Sequence, residues 1–249
     1  MPRWLCAVLC VVIGACGGDP GDTAPAGGGP APAITVFAAV SLTEPFTAAR
    51  EGVSQVRPTF SFAGSQQLVT QLEQGARADV VATADQASMQ RLVEAGLVGP
   101  PVTFASTTLV IAVAPGNPSG ITGLADLGRP GLDVVLADPS VPAGRYARQL
   151  LDGAGVRVAP RSLELDVRAA LAKVTSGVAD AAIVYATDVR ASGRATAVTF
   201  PEAAAPGAAA TYRIAVVTTS TRRGAAEAFV AAAVAGPLRD ALLAAGFSA

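Results

Sequence analysis

Apolar and polar positions along the chain follow two alternating rhythms. Apolar runs at residues 34–38, 59–62, 80–83, 109–114, 133–137, 181–185 and 212–218 are short and continuous, as strands covered on both faces are. Between them apolar residues recur at helical spacing, at Leu68 and Leu72, at Met89, Leu92 and Val93, and through 146–151 and 167–174, with Gly75 and Gly96 placed as helix stops. An Ala-rich stretch at 225–245 reads as one closing helix ended by Gly246. This alternation predicts an α/β fold with mostly parallel sheets. The runs 108–114 and 212–218 bracket the middle third and are expected to cross between two lobes, the first built from residues 34–108 plus 213–249 and the second from 109–212. The Pro- and Ala-rich segment 201–210 reads as a surface loop leading back to the first lobe.

Candidate chemistry sits where strand-like runs give way to helix-like ones. Four such junctions carry small or neutral residues: Ser41, Ser65, Ala143 and Val167. A helix start presents backbone N–H groups without partners and the positive end of a dipole, so several aimed at one point bind an anion without a cationic side chain. Ser41 precedes Glu44 by three residues, with Pro45 in the first turn, a pattern that also fits a capping box. Gly64 before Ser65 permits close backbone approach, and Pro142 opens the helix that carries Ala143. Asp166 is a good N-cap for the helix begun by Val167, which would occupy its carboxylate with its own amides. Arg145 is expected to point to solvent, and Arg168 to make a salt bridge or lobe contact ahead of touching a ligand. Tyr185 ends the run 181–185, at the carboxyl end of a strand, where open α/β sheets bind ligands, and supplies one directed O–H. The five residues offer donors without acceptors or net charge, which suits a fully deprotonated tetrahedral dianion. At roughly 1.5–3 kcal/mol for each charge-assisted hydrogen bond, about five to seven such bonds would offset the desolvation of the ion.

Composition narrows the function classes. A net charge of -1 over 249 residues and a charged fraction of 15% leave no basic face for nucleic acid. Histidine is absent and Lys173 is the sole lysine, so a serine nucleophile would lack its usual base and a metal its commonest ligand. Neither an enzyme nor a resident cofactor is expected.

Residues 1–15 read as a secretion signal, with Arg3 followed by an apolar stretch at 4–13 that is too short for a permanent membrane span. Ile13-Gly14-Ala15-Cys16 resembles a bacterial lipobox, whose cysteine is lipidated after cleavage, and all three cysteines, Cys6, Cys10 and Cys16, lie in this region. Residues 16–33 therefore read as a lipidated cysteine and a Gly-, Pro- and Ala-rich flexible linker that tethers a globular body to a membrane surface.

Several segments run in order through the body and resemble one family. They are Ala38-Ala39-Val40-Ser41-Leu42, Phe62-Ala63-Gly64-Ser65, Gly75-Ala76-Arg77-Ala78-Asp79 with Ala84-Asp85, Val141-Pro142-Ala143-Gly144-Arg145, Asp166-Val167-Arg168, Ile183-Val184-Tyr185-Ala186-Thr187-Asp188 and Gly246-Phe247. Together they resemble the molybdate-binding proteins of bacterial ABC importers, a type II periplasmic-binding-protein fold with two α/β lobes joined by two crossing strands and the ligand in the cleft. The resemblance implies that Ser41 and Ser65 hold molybdate or tungstate through hydroxyl and amide, Ala143 and Val167 through amides, and Tyr185 through its phenol. Molybdenum would then be present only inside the bound oxyanion. It also implies a monomer in the periplasm or on the outer face of the plasma membrane, lipid-anchored and partnered by an ABC permease and its ATPase subunit. The chain departs from the common pattern at Gly64, where serine is frequent, and at Arg77, where proline is usual; Asp79 and Asp85 match and are expected to be structural. A sulfate or other oxyanion carrier, or an oxyanion-sensing lipoprotein, are the alternative readings.

Overall fold

A computed structural model describes residues 30–201 and 209–249. Cys16, the segment 1–15, most of the linker, and 202–208 of the returning loop lie outside the described residues.

Two five-stranded sheets form the body. Strands β1 (Ala33–Ala39), β2 (Arg57–Ala63), β3 (Val80–Thr83), β4 (Val102–Thr107) and β10 (Ala210–Val216) make the first, in the order β2-β1-β3-β10-β4. Strands β5 (Leu109–Val113), β6 (Val134–Ala137), β7 (Ser162–Glu164), β8 (Ala181–Tyr185) and β9 (Thr196–Val198) make the second, in the order β7-β6-β8-β5-β9. The two orders are the same pattern, with β6, β7 and β8 standing where β1, β2 and β3 stand. The chain leaves the first sheet at Thr108, the single residue between β4 and β5, and returns between β9 and β10.

The sheets are less parallel than the alternation of elements predicts. β1 pairs in parallel with β2 and β3, and β6 with β7 and β8, but β10 and β5 are antiparallel to both of their neighbours. Each of these is the strand by which the chain arrives from the other sheet, so it runs against strands that are connected through local βα units. The strands not anticipated from the sequence are β4, β7 and β9, and all three lie at sheet edges. An edge strand is covered on fewer sides, so it needs no continuous apolar run to mark it. The central strands β3, β5, β6 and β8 are buried at every residue, which is why their runs stand out.

Helices α1 (Thr43–Ala48), α2 (Ser65–Glu73), α3 (Gln86–Glu94), α4 (Pro142–Gly153), α5 (Val167–Thr175), α6 (Ala186–Ser192), α7 (Arg223–Ala235) and α8 (Pro237–Ala244) cover the sheets. Gly75 and Gly96 follow α2 and α3 with φ of 88° and 67°, the left-handed stops that the sequence predicts. The closing Ala-rich stretch is two helices rather than one. Gly236 is extended and Pro237 takes the first turn of α8, because a proline inside a continuous helix would lack its N–H and clash with the preceding turn. An aromatic chain runs beneath the junction of the sheets: Phe46 packs on Phe60, Phe104 and Phe229, and Tyr212 meets Phe104, Phe247 and Tyr185 edge-on. Tyr185 and Tyr212, with ring centroids 6.0 Å apart, carry this packing from one lobe to the other.

Candidate functional site

The duplicated topology places like junctions face to face. The chain after β1 and β2 carries Ser41 and Ser65; the chain after β6 and β7 carries Ala143 and Val167; Tyr185 ends β8. All five line one small cleft, together with Gly64, Ala84, Val141, Pro142 and Asp166. None of the five is more than 3% exposed.

Each is held by local chemistry. Ser65 and Val167 are the first residues of α2 and α5, and Ala143 follows Pro142 at the start of α4, so their amides belong to the first turn and have no partner within the helix. Ser41 lies in a 3-10 turn, Val40–Leu42, between β1 and α1. The capping box expected there is not formed: Leu42 is the N-cap of α1, and Glu44 is turned away to Arg168. The Ser41 hydroxyl lies 2.9 Å from the Tyr212 hydroxyl. The Ser65 Oγ accepts the Ala84 N–H at 3.0 Å, which leaves its own O–H free to donate into the cleft. Asp166 caps α5 as expected, its carboxylate accepting the Ala169 N–H at 2.8 Å, so this acid beside the cleft is engaged with its own helix.

Tyr185 completes the set. Its hydroxyl is buried and has no hydrogen-bond partner among the described residues. Burial foremost, with the charges of its neighbours, pushes its phenol well above the ordinary value, so it stays protonated and can donate. The Tyr212 phenol is pushed up in the same way and stays protonated; when it donates to Ser41 Oγ, the Ser41 O–H is free for another partner. The hydroxyls of Ser41, Ser65 and Tyr185 and the helix-start residues Ser65, Ala143 and Val167 thus line one cleft, an arrangement rich in hydrogen-bond donors.

Apart from that of Asp166, charged side chains stand around this cleft without entering its lining. Arg145, expected in solvent, instead donates from Nε to Asp85 Oδ2 at 3.0 Å and from Nη2 to Ser88 Oγ at 3.2 Å. Arg168 donates from Nη1 to Glu44 Oε1 at 2.8 Å, and its Nε lies 3.3 Å from Asp188 Oδ1, so it makes the salt bridge that the sequence favoured. Asp188 is almost fully buried, and burial, opposed by Arg168, raises its carboxyl to about 7. Asp79 and Asp85 are structural, as expected: Asp79 accepts from the Thr35 amide and the Ser220 hydroxyl, and Asp85 caps α3 through the Ser88 amide. Sequence reasoning missed Tyr212 and Asp188. Each sits in or beside an apolar strand run, where a polar side chain looks like ordinary core; the signal available was the hydroxyl or carboxylate itself.

A family model of bacterial extracellular solute-binding proteins matches residues 34–248. The chain is 44% identical over 249 residues to the molybdate-binding protein ModA of Mycobacterium tuberculosis H37Rv, covering 97% of this chain and 95% of that one. Among solved structures, the periplasmic molybdate-binding protein of Azotobacter vinelandii matches with a TM-score of 0.74 at 18% identity, over 87% of this chain and 99% of that one. The sulfate-binding protein SubI of M. tuberculosis matches with a TM-score of 0.75 at 22% identity, over 87% and 86%. These two structures establish the type II periplasmic-binding fold and do not by themselves distinguish one oxyanion from another. The relatives are solute-binding proteins, not enzymes, and work outside the cytoplasm. By the family match and by its identity to ModA over nearly its whole length, the chain belongs to the bacterial extracellular solute-binding proteins, in the molybdate-binding protein family.

Proposed function

We propose that this protein is the molybdate-binding component of an ABC importer, holding molybdate, and tungstate with it, through Ser41, Ser65, Ala143, Val167 and Tyr185. The observation that carries this reading is the buried, unpartnered Tyr185 hydroxyl, set in a cleft where the starts of α2, α4 and α5 converge. A buried O–H left without a partner costs about 1–3 kcal/mol, which a bound anion would recover. Molybdate and tungstate match in charge and nearly in size, so a donor-only cleft accepts both. Sulfate has shorter bonds and would leave donors out of reach in a rigid cleft fitted to the larger ion, while hydrogen phosphate brings a proton that the helix-start amides cannot accept. The protein is read as a monomer that closes two lobes, 34–108 plus 213–249 and 109–212, over the ion and hands it to a permease and its ATPase subunit. Residues 1–15 are read as a signal peptide, Cys16 as the lipidated residue that anchors the protein to the membrane, and the rest of 16–33 as its tether.

Thermal melts of the protein titrated with molybdate, tungstate, sulfate and phosphate at neutral pH test this reading. A ligand at a hundred times its dissociation constant adds about 2.7 kcal/mol, which is roughly 5–10 °C for a chain of this size. Molybdate and tungstate should each produce that shift and sulfate and phosphate should not. A shift with sulfate alone would make the protein a sulfate carrier on the same fold.

A further inference from the structure

The end of the first sheet away from the cleft holds a groove that the oxyanion site does not use. β1 and β2 run in parallel and carry Ser41 and Ser65 beyond their carboxyl ends, so whatever precedes their first residues lies at the opposite end of the sheet. There, between the end of α2 and the start of α7, is a cavity of about 520 Å³ whose lining includes Thr35, Arg77, Asp79, Thr219, Thr221 and Arg222. Its acid is already engaged: Asp79 is buried and accepts from the Thr35 amide at 2.8 Å, the Ser220 hydroxyl at 2.7 Å and Arg222 Nη1 at 3.4 Å. Glu73 of α2 and Glu227 of α7, on the flanking helices, accept from Arg91 and Arg223. Arg77 is exposed, makes no ion pair among the described residues, and stands at one of the two positions where the chain departs from the family pattern. The same end is where the chain enters the sheet. Arg57, which opens β2, donates from its amide to the Pro32 carbonyl at 2.9 Å and from Nε to the Ala31 carbonyl at 2.8 Å.

We propose that this groove seats the anionic headgroup of a phospholipid in the membrane that anchors the chain, with Arg77 and Arg222 on its phosphate. The proposal rests on the lipid-anchor reading above. From Cys16 to Pro30 a Gly-rich chain spans about 20 Å on average, so an anchored protein keeps this end of the first-sheet lobe within reach of the headgroups. Arg222 places one nitrogen on Asp79 while its side chain is 52% exposed, which leaves its other nitrogens free to donate. Each arginine at an anionic bilayer contributes roughly fivefold in affinity, too little to hold a free protein. The tether supplies the remainder by presenting the groove to headgroups at an effective concentration on the order of millimolar. The contact is therefore weak, reversible and screened by salt, and it leaves the cleft, at the other end of the sheet, open to the ion.

Energy transfer from the body of the lipidated full chain to a dye in the headgroup layer tests this, in vesicles of phosphatidylcholine alone and of phosphatidylcholine mixed with phosphatidylglycerol. The fluorophore is carried at Q74C, beside the groove, or at S176C, an exposed position after α5 on the second-sheet lobe. Transfer from Q74C should rise in the phosphatidylglycerol vesicles, transfer from S176C should not, and the rise should vanish at high salt. R77Q, which breaks no contact among the described residues, should lower the docked population roughly fivefold and leave molybdate affinity unchanged. R222Q should do the same; it removes a partner of Asp79, so its melting temperature is measured alongside, and R77Q stands by itself if R222Q does not fold. Inorganic phosphate should act no more strongly than chloride at equal ionic strength; a phosphate-specific loss would assign the groove to a soluble anion and overturn the lipid. Equal transfer from Q74C in the two kinds of vesicle, or wild-type transfer in R77Q, would overturn the contact and leave the anchor reading intact. A chain that does not float with vesicles of either kind would overturn that reading, and the contact with it.

Discussion

The proposed site gathers hydroxyls and helix-start amides that are each weak by themselves and differ in what else they serve. Tyr185 is the clearest case, because its buried hydroxyl has no partner among the described residues. Y185F should raise the molybdate dissociation constant about 10- to 150-fold, equivalent to roughly 1.5–3 kcal/mol for a hydrogen bond to a charged group. The ligand-free protein should melt no lower than the wild type, since the substitution removes a buried unsatisfied group. Tyr212 presents the opposite balance. Its hydroxyl serves Ser41 at 2.9 Å and so acts on the ligand at one remove. Y212F should weaken binding only by roughly 2- to 10-fold and lower the ligand-free melting temperature as well, the loss of an ordinary buried hydrogen bond. Calorimetric titration and melts of the two variants side by side separate the roles; equal effects on affinity would mean that Tyr185 is core rather than ligand.

At the scale of the element, the site depends on where helices begin, and two glycines at helix starts make contrasting demands. A Cβ at Gly144, in the first turn of α4, would lie 2.1 Å from the Asp138 carbonyl oxygen and 2.4 Å from that of Ala137. Both are backbone atoms of the turn that leads from β6, so the helix start itself would have to move. G144A should therefore cost roughly 1–3 kcal/mol or more in stability and also weaken molybdate binding by displacing the Ala143 amide. A Cβ at Gly64 would meet only the Gln66 side-chain amide, at 2.7 Å, and that flexible group can swing aside. G64A should fold with near wild-type stability, since only that flexible side chain has to move. Melting temperatures and affinities of both variants check this contrast; a stable G144A that binds normally would remove α4 from the site.

At the scale of the molecule, the lobes share one acidic group whose titration reports on the whole fold. Asp188 is buried, and burial, opposed by Arg168 and reinforced by Glu44 and Asp166, raises its carboxyl to about 7. The folded protein thus keeps a proton that the unfolded chain gives up near pH 4, so this group's contribution to stability falls as pH rises from about 4 to about 7 and is level beyond. Glu44 works in the other direction. Burial raises its carboxyl, but the Arg168 hydrogen bond and charge outweigh that and hold it below the ordinary range, so its contribution is present at neutral pH and lost on acidification. D188N removes only the first effect. Its melting temperature relative to wild type should climb between pH 4 and pH 7, on top of a pH-independent offset from the partner that Arg168 loses. A pH-independent difference would show that Asp188 stays ionised throughout.

The alternation of apolar runs and helical spacing was enough to establish an α/β chain, the starts of α2, α4 and α5, and the small neutral residues placed there, because strand burial and helix initiation are short-range matters of backbone and neighbouring side chains. It also pointed to Ser41, Ser65, Ala143, Val167 and Tyr185, five of the residues that line the cleft, since each lies at such a junction. It did not reveal β4, β7 and β9, whose edge positions demand no apolar run, nor the break at Gly236 and Pro237, hidden within a stretch of alanine. Only the tertiary structure could show that the five junctions converge, and which polar groups meet there. Ser41 finds Tyr212 171 positions away, Arg145 finds Asp85 at 60, and Arg168 finds Glu44 at 124. In sequence these are interchangeable serines, arginines and acids. The chain's crossing from one sheet to the other at Thr108, and its return into β10, choose among them by bringing one face of each lobe against the other.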